Sequence, residues 1–260
     1  MLTRIVVAAI LIVATALMVE LASTALFLGG MSLIAVLCVH ELGGMFKSYR
    51  WPLYPTTYLL CLALPWVWVY HPQWIGAAVS GSFLVTVAFA LLSMREVESG
   101  FAAASANVLT VLYLGLPLSI LAHFRQHSHL EIWLLLVAIW AADSLALLVG
   151  RRWGTIKVTP LISPQKSLQG YLAAMAAALA TAILLGSRWF PERGLLFWTL
   201  AGLTVGLFGI LGDLFESVIK RGARIKDSSH LLPGHGGIMD RVDSMLFALP
   251  AYYLLSRLVE

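Results

Sequence analysis

The feature that most constrains this chain is a succession of long apolar stretches, near residues 5–19, 21–46, 53–70, 74–93, 104–122, 131–149, 171–187, 194–212 and 243–256. A helix needs about 20 predominantly apolar residues to cross the hydrocarbon core of a bilayer, where every backbone polar group must be satisfied internally. The pattern predicts an all-α integral membrane protein, a multi-pass helical bundle of about eight or nine transmembrane helices. The count turns on the first two stretches, which form one longer helix if the chain merely bends at Gly29-Gly30. Composition agrees, with 60% hydrophobic and 12% charged residues, against roughly 25% charged in an ordinary soluble domain. Arg4 precedes apolar sequence, but no small-residue cleavage site leads into a soluble domain, so no cleavable signal is expected. Cys38 and Cys61 fall inside predicted spans and read as small buried apolar residues.

The charges are few and unevenly placed. With the 47–52 loop inside the cell and sides alternating from it, Arg4, Lys47, Arg50, Arg95, Arg151, Arg152, Lys157, Lys166, Lys220, Arg221, Arg224, Lys226 and Arg241 share one side, leaving Arg125, Arg188, Arg193 and Arg257 on the other. Such a bias sets the basic face to the cytoplasm, with the N-terminus inside and the C-terminus outside. The two most basic loops, 150–170 and 213–243, then share the cytoplasmic face. Residues 1–103 read as N-terminal transmembrane helices and 104–260 as the region carrying both loops, all within one membrane domain.

An ionisable residue inside a span costs about 2.5–3.5 kcal/mol on insertion scales and needs a partner or a purpose. Asp143, Asp213 and Glu216 are such residues, and Glu20 and Glu41 lie in or near the membrane. Gly202, Gly206, Gly209, Asp213, Glu216, Ser217 and Lys220 fall along one stripe of a helix at 100° per residue. Small residues there admit a second helix backbone, and the same stripe delivers carboxylate, hydroxyl and ammonium groups as the helix leaves the membrane. The run "KRGARIKDSSHLLPGHGGIMDRVD" follows. Its Gly234, Gly236 and Gly237 permit positive φ and close approach of backbone to a ligand, and its lysines and arginines suit phosphate oxygens. Asp240 and Asp243 stand at the start of the last helix. Acids beside bases suit a polyphosphate substrate with Mg²⁺, which binds one or two carboxylates and bridges phosphate oxygens. The histidines of "HFRQHSH" fall on the opposite face and are not expected to form a metal site.

Ser217, Lys220, Arg221, Lys226, Asp227, His235, Gly236, Gly237, Asp240, Arg241 and Asp243 together resemble the signature of the phosphatidate cytidylyltransferase (CDP-diacylglycerol synthase) family. "GDLFES" from Gly212 resembles the stretch before that signature. "GRRWG" and "ISPQKSLQG" resemble two further elements, and Asp143 matches a conserved-type acidic segment of the family. "HELGG" at Glu41 is a weaker echo. Leu147 departs from the family's usual tyrosine, and Gln169 stands where glutamate is frequent.

The resemblance implies the reaction of CTP with phosphatidate to give CDP-diacylglycerol and pyrophosphate, at the cytoplasmic side of the cell inner membrane, by a likeness that also implies a homodimer and Mg²⁺ with K⁺ nearby. No nucleic-acid partner is expected. Asp213 and Asp240 are the expected metal ligands, with Asp143 and Asp243 as outer groups or ligands through water. Lys166, Lys220, Arg221 and Lys226 are expected on CTP or lipid phosphate, with Arg151, Ser163, Ser167, Gly236, Gly237 and Arg241 completing the substrate-binding set. Ser217 hydrogen-bonds phosphate or orients Asp213, and His235 donates to a phosphate. Alternatives are a CTP-dependent polyprenol kinase, an archaeal-lipid cytidylyltransferase, or a transporter using the intramembrane acids.

Overall fold

The computed structural model describes residues 2–94 and 96–259, without the side chains of residues 2–5, Glu98 and Ser99. Arg95 lies outside the described residues, as does the Arg4 side chain. The described residues are helical, with isolated bridges but no strand. Among the described residues seven helices are long and apolar enough to cross a membrane, and Val6–Glu20 is a shorter apolar helix, against the expected eight or nine spans. Ile10, Leu33, Leu84, Leu148, Leu172 and Leu196 are exposed on helix faces. Apolar surface on this scale is tolerable when lipid rather than water covers it. The protein is an integral membrane protein.

The chain forms two compact units. The first holds residues 1–127 and 222–241. Its helices are α1 (Leu2–Glu20), α2 (Thr24–Lys47), α3 (Pro55–Tyr70), α4 (Ile75–Ser93), α5 (Val97–Thr110) and α6 (Leu116–His127), with a π-turn at Val111–Gly115 joining the last two. The break between α1 and α2 falls at residues 21–23, where the Ser23 side chain caps α2, so Gly29 and Gly30 lie inside α2 rather than at a bend. Helix α3 packs against α2, α4 and α6. Its start is held by the buried Asn107, whose side-chain oxygen accepts from Tyr54 N at 2.7 Å and Thr57 Oγ1 at 2.6 Å. The Asn107 amide nitrogen donates to Pro52 O at 2.9 Å and Ala103 O at 2.7 Å. A fully satisfied amide is what allows a polar side chain to sit inside an apolar helix bundle. Cys38 and Cys61 are both buried, as expected.

The second unit holds residues 128–221 and 242–260. It comprises α7 (His129–Trp153), α8 (Leu168–Thr181), the short α9 (Ser187–Trp189), α10 (Gly194–Gly222, up to Arg221 here) and the body of α11 (Met239–Val259). Ser128 and Ser167 cap α7 and α8, each accepting a backbone N–H three residues on at 3.3 Å. A Cβ at Gly202 would lie 2.6 Å from the backbone of Leu179, and one at Gly206 within 3.2 Å of Met175 and Ala178. Gly202 and Gly206 of the α10 stripe therefore form a packing seam against α8, while Gly209 faces Ser244 of α11. Gly212, next to Asp213, makes the closest approach to α11, where a Cβ would meet Asp243 O at 2.5 Å.

At the far end of this unit from Arg151, Glu131 forms an ion pair with Arg193 at 2.7 Å and accepts from the Tyr252 hydroxyl at 3.2 Å. Arg193 also donates to that hydroxyl at 3.2 Å and lies over the rings of Phe190, Phe197 and Trp198. This cluster satisfies the buried Glu131.

Candidate active site

In the second unit the chain leaves α7 through the basic "GRRWG" segment and returns at Ser167. A Cβ at Gly154 would lie 2.1 Å from Gly150 O and 2.4 Å from Ser167 Oγ, and Gly150 and Gly170 pack beside the same hydroxyl. The glycines of both segments thus exist to bring the two helix ends together. Gln169 fastens the return: its Oε1 accepts from Ile156 N at 3.3 Å and its Nε2 donates to Thr155 Oγ1 at 2.7 Å. Lys157 and Ser167 form an antiparallel bridge. The turn between them carries Ser163, whose N–H donates to Thr159 O at 2.8 Å and whose carbonyl accepts from Lys166 N at 3.1 Å. Ser167 is buried and caps α8. Arg151 is exposed at the end of α7.

That turn delivers Lys166 to Asp213, with which it forms an ion pair. Both side chains keep partial access to solvent, at 20% and 34%, so either can exchange its partner for a ligand. One turn on along α10, Glu216 is fully buried and pairs with Lys220. Ser217 is buried, and Arg221 is exposed, donating from Nε to Ile162 O at 3.2 Å. Asp143 stands exposed on α7. Asp213, Glu216 and Asp143 all act electrostatically on Asp243, whose Oδ1 accepts from Ser244 N at 2.8 Å. Three carboxylates of the second unit thus lie within electrostatic range of Asp243, and two of them are paired with lysines. Oxygen-only donors of this kind suit a hard cation such as Mg²⁺. Among the described residues, no three His, Cys, Asp or Glu side chains already converge as a metal site.

In the first unit, the loop before α11 is built on two carboxylates. Asp240 Oδ2 accepts from Ser228 N at 2.9 Å, Ser228 Oγ at 2.8 Å and Gly237 N at 2.8 Å. Glu41, 3% exposed on α2, accepts from Ser229 Oγ at 2.6 Å and Ile238 N at 3.0 Å through one oxygen. Its other oxygen accepts from Ser228 Oγ and Met239 N, both at 2.9 Å. Two carboxylates therefore share one hydroxyl. The turn itself is closed by Leu232 N to Gly236 O and His235 N to Leu232 O, each at 2.9 Å. Arg241 clamps it with two donors on His235 O, at 3.1 and 2.8 Å.

The glycines of "PGHGG" now have a physical reason. Gly234 and Gly236 have φ of 75° and 82°, a region that disfavours side chains. A Cβ at Gly236 would lie 2.6 Å from Asp240 Oδ2, and one at Gly237 would lie 2.0 Å from Ser228 Oγ and 2.6 Å from both Glu41 oxygens. The close approach expected toward a ligand is made, in this structure, toward the protein's own carboxylates. His235 Nδ1 is buried without a hydrogen-bond partner. Lys226 is exposed.

Lys166, Asp213, Ser217, Lys220, Arg221, Asp143, Asp243, Arg151, Ser163 and Ser167 thus belong to the second unit, and Lys226, His235, Gly236, Gly237, Asp240 and Arg241 to the first. Reading the sequence missed Glu41 as the anchor of the signature loop. Its signal was an acid flanked by glycines near the end of an otherwise apolar helix, with nothing to name its partner.

The cytidylyltransferase family profile matches residues 2–259. A Staphylococcus aureus (strain COL) phosphatidate cytidylyltransferase is 34% identical over 193 residues, covering 74% of this chain and 71% of that protein. The phosphatidate cytidylyltransferase of Bacillus subtilis (strain 168) is 33% identical over 207 residues, covering 76% and 77%.

Proposed function

We propose that this chain, which belongs to the cytidylyltransferase family, is a phosphatidate cytidylyltransferase that converts CTP and phosphatidate to CDP-diacylglycerol and pyrophosphate. Relatives of that name align with about three quarters of the chain. The observation that carries the chemistry is the Lys166–Asp213 pair set among Asp143, Glu216 and Asp243. Cations there neutralise a nucleotide's phosphates, while the carboxylates suit a divalent metal that travels with them.

A phosphate oxygen of phosphatidate attacks the α-phosphorus of CTP, forming the new P–O bond as the α–β bridging bond breaks and its electrons leave with pyrophosphate. No protein nucleophile is required, so the protein's contribution is positioning and charge stabilisation. Lys166 releases Asp213 and turns to phosphate, and Arg221 adds charge from the end of α10. Lys220 stays with Glu216 and offsets its buried charge. Within the first unit, Lys226 and the unpartnered Nδ1 of His235 are the groups suited to phosphate. Asp213, Asp143 and Asp243 are the residues that would hold Mg²⁺, which when bound offsets charge on the phosphate oxygens. Asp240 has one oxygen committed to three protein donors, and ordering the loop is its first role.

The excess of Lys and Arg in these loops supports a site on the cytoplasmic side of the cell inner membrane, where CTP is dissolved and the lipid headgroup is within reach. We read the enzyme as a homodimer, which the mass of the detergent-solubilised protein checks. The deciding experiment supplies purified protein with phosphatidate, CTP and Mg²⁺. Pyrophosphate and CDP-diacylglycerol are the expected products, and formation of neither overturns the reading. Polyprenol or archaeal-lipid phosphates offered with the same CTP separate it from the neighbouring activities.

A further inference from the structure

We propose that Glu41 is a positioning residue for the reaction: from α2 it fixes the 228–239 loop and so sets the placement of His235, Asp240 and Arg241. The inference rests on the functional reading above and adds a residue outside the signature to it.

The geometry carries this in three ways. First, the carboxylate is almost fully buried, and each of its oxygens takes one serine hydroxyl and one backbone N–H. An acid placed inside an apolar helix demands compensation of this kind. Here all four donors come from a single loop, so the compensation and the loop's conformation are one and the same arrangement. Second, two of the donors are the N–H groups of Ile238 and Met239, where α11 begins. The first N–H groups of a helix have no partner within it. A side chain from α2 therefore does the capping, and the orientation of the first turn of α11, with Asp240 and Arg241 on it, follows from where α2 holds Glu41. Third, Glu41 and Asp240 meet on the same Ser228 hydroxyl. One hydroxyl hydrogen cannot satisfy both carboxylates at once, so moving either acid changes what the other accepts. Gly237 completes the fit, because any side chain there would occupy the space both groups use.

A merely structural anchor would share the contacts but not the kinetic consequence. Glu41→Gln keeps the side-chain length and replaces one acceptor oxygen by an amide nitrogen, which cannot accept from the two donors on that side. The expected result is a fall in kcat of about 10- to 100-fold, the scale of a small misplacement of reacting groups. KM for CTP stays within about threefold, the pattern of an interaction realised in the transition state. In the same samples, hydrogen–deuterium exchange at Ile238 and Met239 accelerates while the helices α3 to α5 keep their protection.

Faster exchange with unchanged kcat would reduce Glu41 to a structural tie and overturn the inference. So would lost kcat with exchange at 238–239 unaltered. Should Glu41→Gln fail to fold, Glu41→Asp decides on the same two readouts, since it keeps both oxygens but withdraws them by one methylene. Wild-type protein without turnover would instead overturn the functional reading, and the kinetic half of this inference with it.

Discussion

Glu41 and Met239 lie 198 positions apart in sequence, yet the Glu41 carboxylate accepts the Met239 backbone N–H at 2.9 Å. The contact joins an acid on α2 to the start of the last helix, and it gives the signature loop a fixed foundation. Several outcomes follow from this and from the Lys166–Asp213 pair.

Asp213→Asn removes the negative charge that pairs with Lys166 and that would hold a divalent cation. Turnover of CTP and phosphatidate should drop about 100-fold or more, with the helical circular-dichroism signal intact. Pyrophosphate release in a coupled assay measures it.

Lys166→Ala should lower kcat/KM for CTP about 10-fold or more, since a charge-assisted contact contributes about 1.5–3 kcal/mol. Because the two side chains form one ion pair, the Lys166→Ala, Asp213→Asn double variant should lose less than the sum of the single losses. A double-mutant cycle on kcat/KM tests that coupling.

Two glycines of one segment should respond oppositely. Gly212→Ala puts a methyl where Asp243 O lies 2.5 Å away, whereas the nearest atom to a Cβ at Gly209 is Ser244 Cβ at 3.8 Å. Gly212→Ala should force α10 from α11, shifting Asp213 against Asp243 and costing most of the activity. Gly209→Ala should retain it and gain up to about 1 kcal/mol of helix propensity. Specific activity and thermal inactivation of both variants provide the comparison.

Gly237→Ala should reproduce the Glu41→Gln phenotype, because its Cβ would lie on the Ser228 hydroxyl. Gly44→Ala, on the same helix as Glu41 but with nothing within 4 Å, should leave kcat unchanged. Equal losses in the two would remove the link between the loop and Glu41.

Glu131→Gln addresses stability alone. Glu131 is buried against Arg193 and Tyr252, and breaking a buried ion pair costs about 3–5 kcal/mol. The Arg193 side chain is 24% accessible, so the loss should fall below that range. Heat-inactivation midpoints should drop while kcat of the folded enzyme holds.

Asp213, Glu216 and Lys220 were legible as one stripe because helical periodicity places them, and Asp143 because apolar surroundings make charge conspicuous. Their pairing was not. Periodicity could put Glu216 and Lys220 a turn apart, but not bring Lys166 across the 154–167 segment to Asp213. The glycines of "PGHGG" were equally visible, but not the carboxylates of the protein that two of them approach. Positive φ at Gly234 and Gly236 followed from residue type, whereas the approach of Gly237 to Glu41 depends on a helix nearly two hundred residues earlier.

By itself the sequence determined the solvent this protein folds in, the helical class and the chemical character of its charged segments, since those depend on local properties: hydropathy, period and residue type. Only the tertiary structure decided where α1 ends and α2 begins, that Asn107 holds the start of α3, and that Glu41 accepts four donors of the signature loop. Such facts depend on which donors remain unsatisfied once helices have packed, and a donor's partner inside an apolar interior is set by distance in space, which spacing along the chain does not encode.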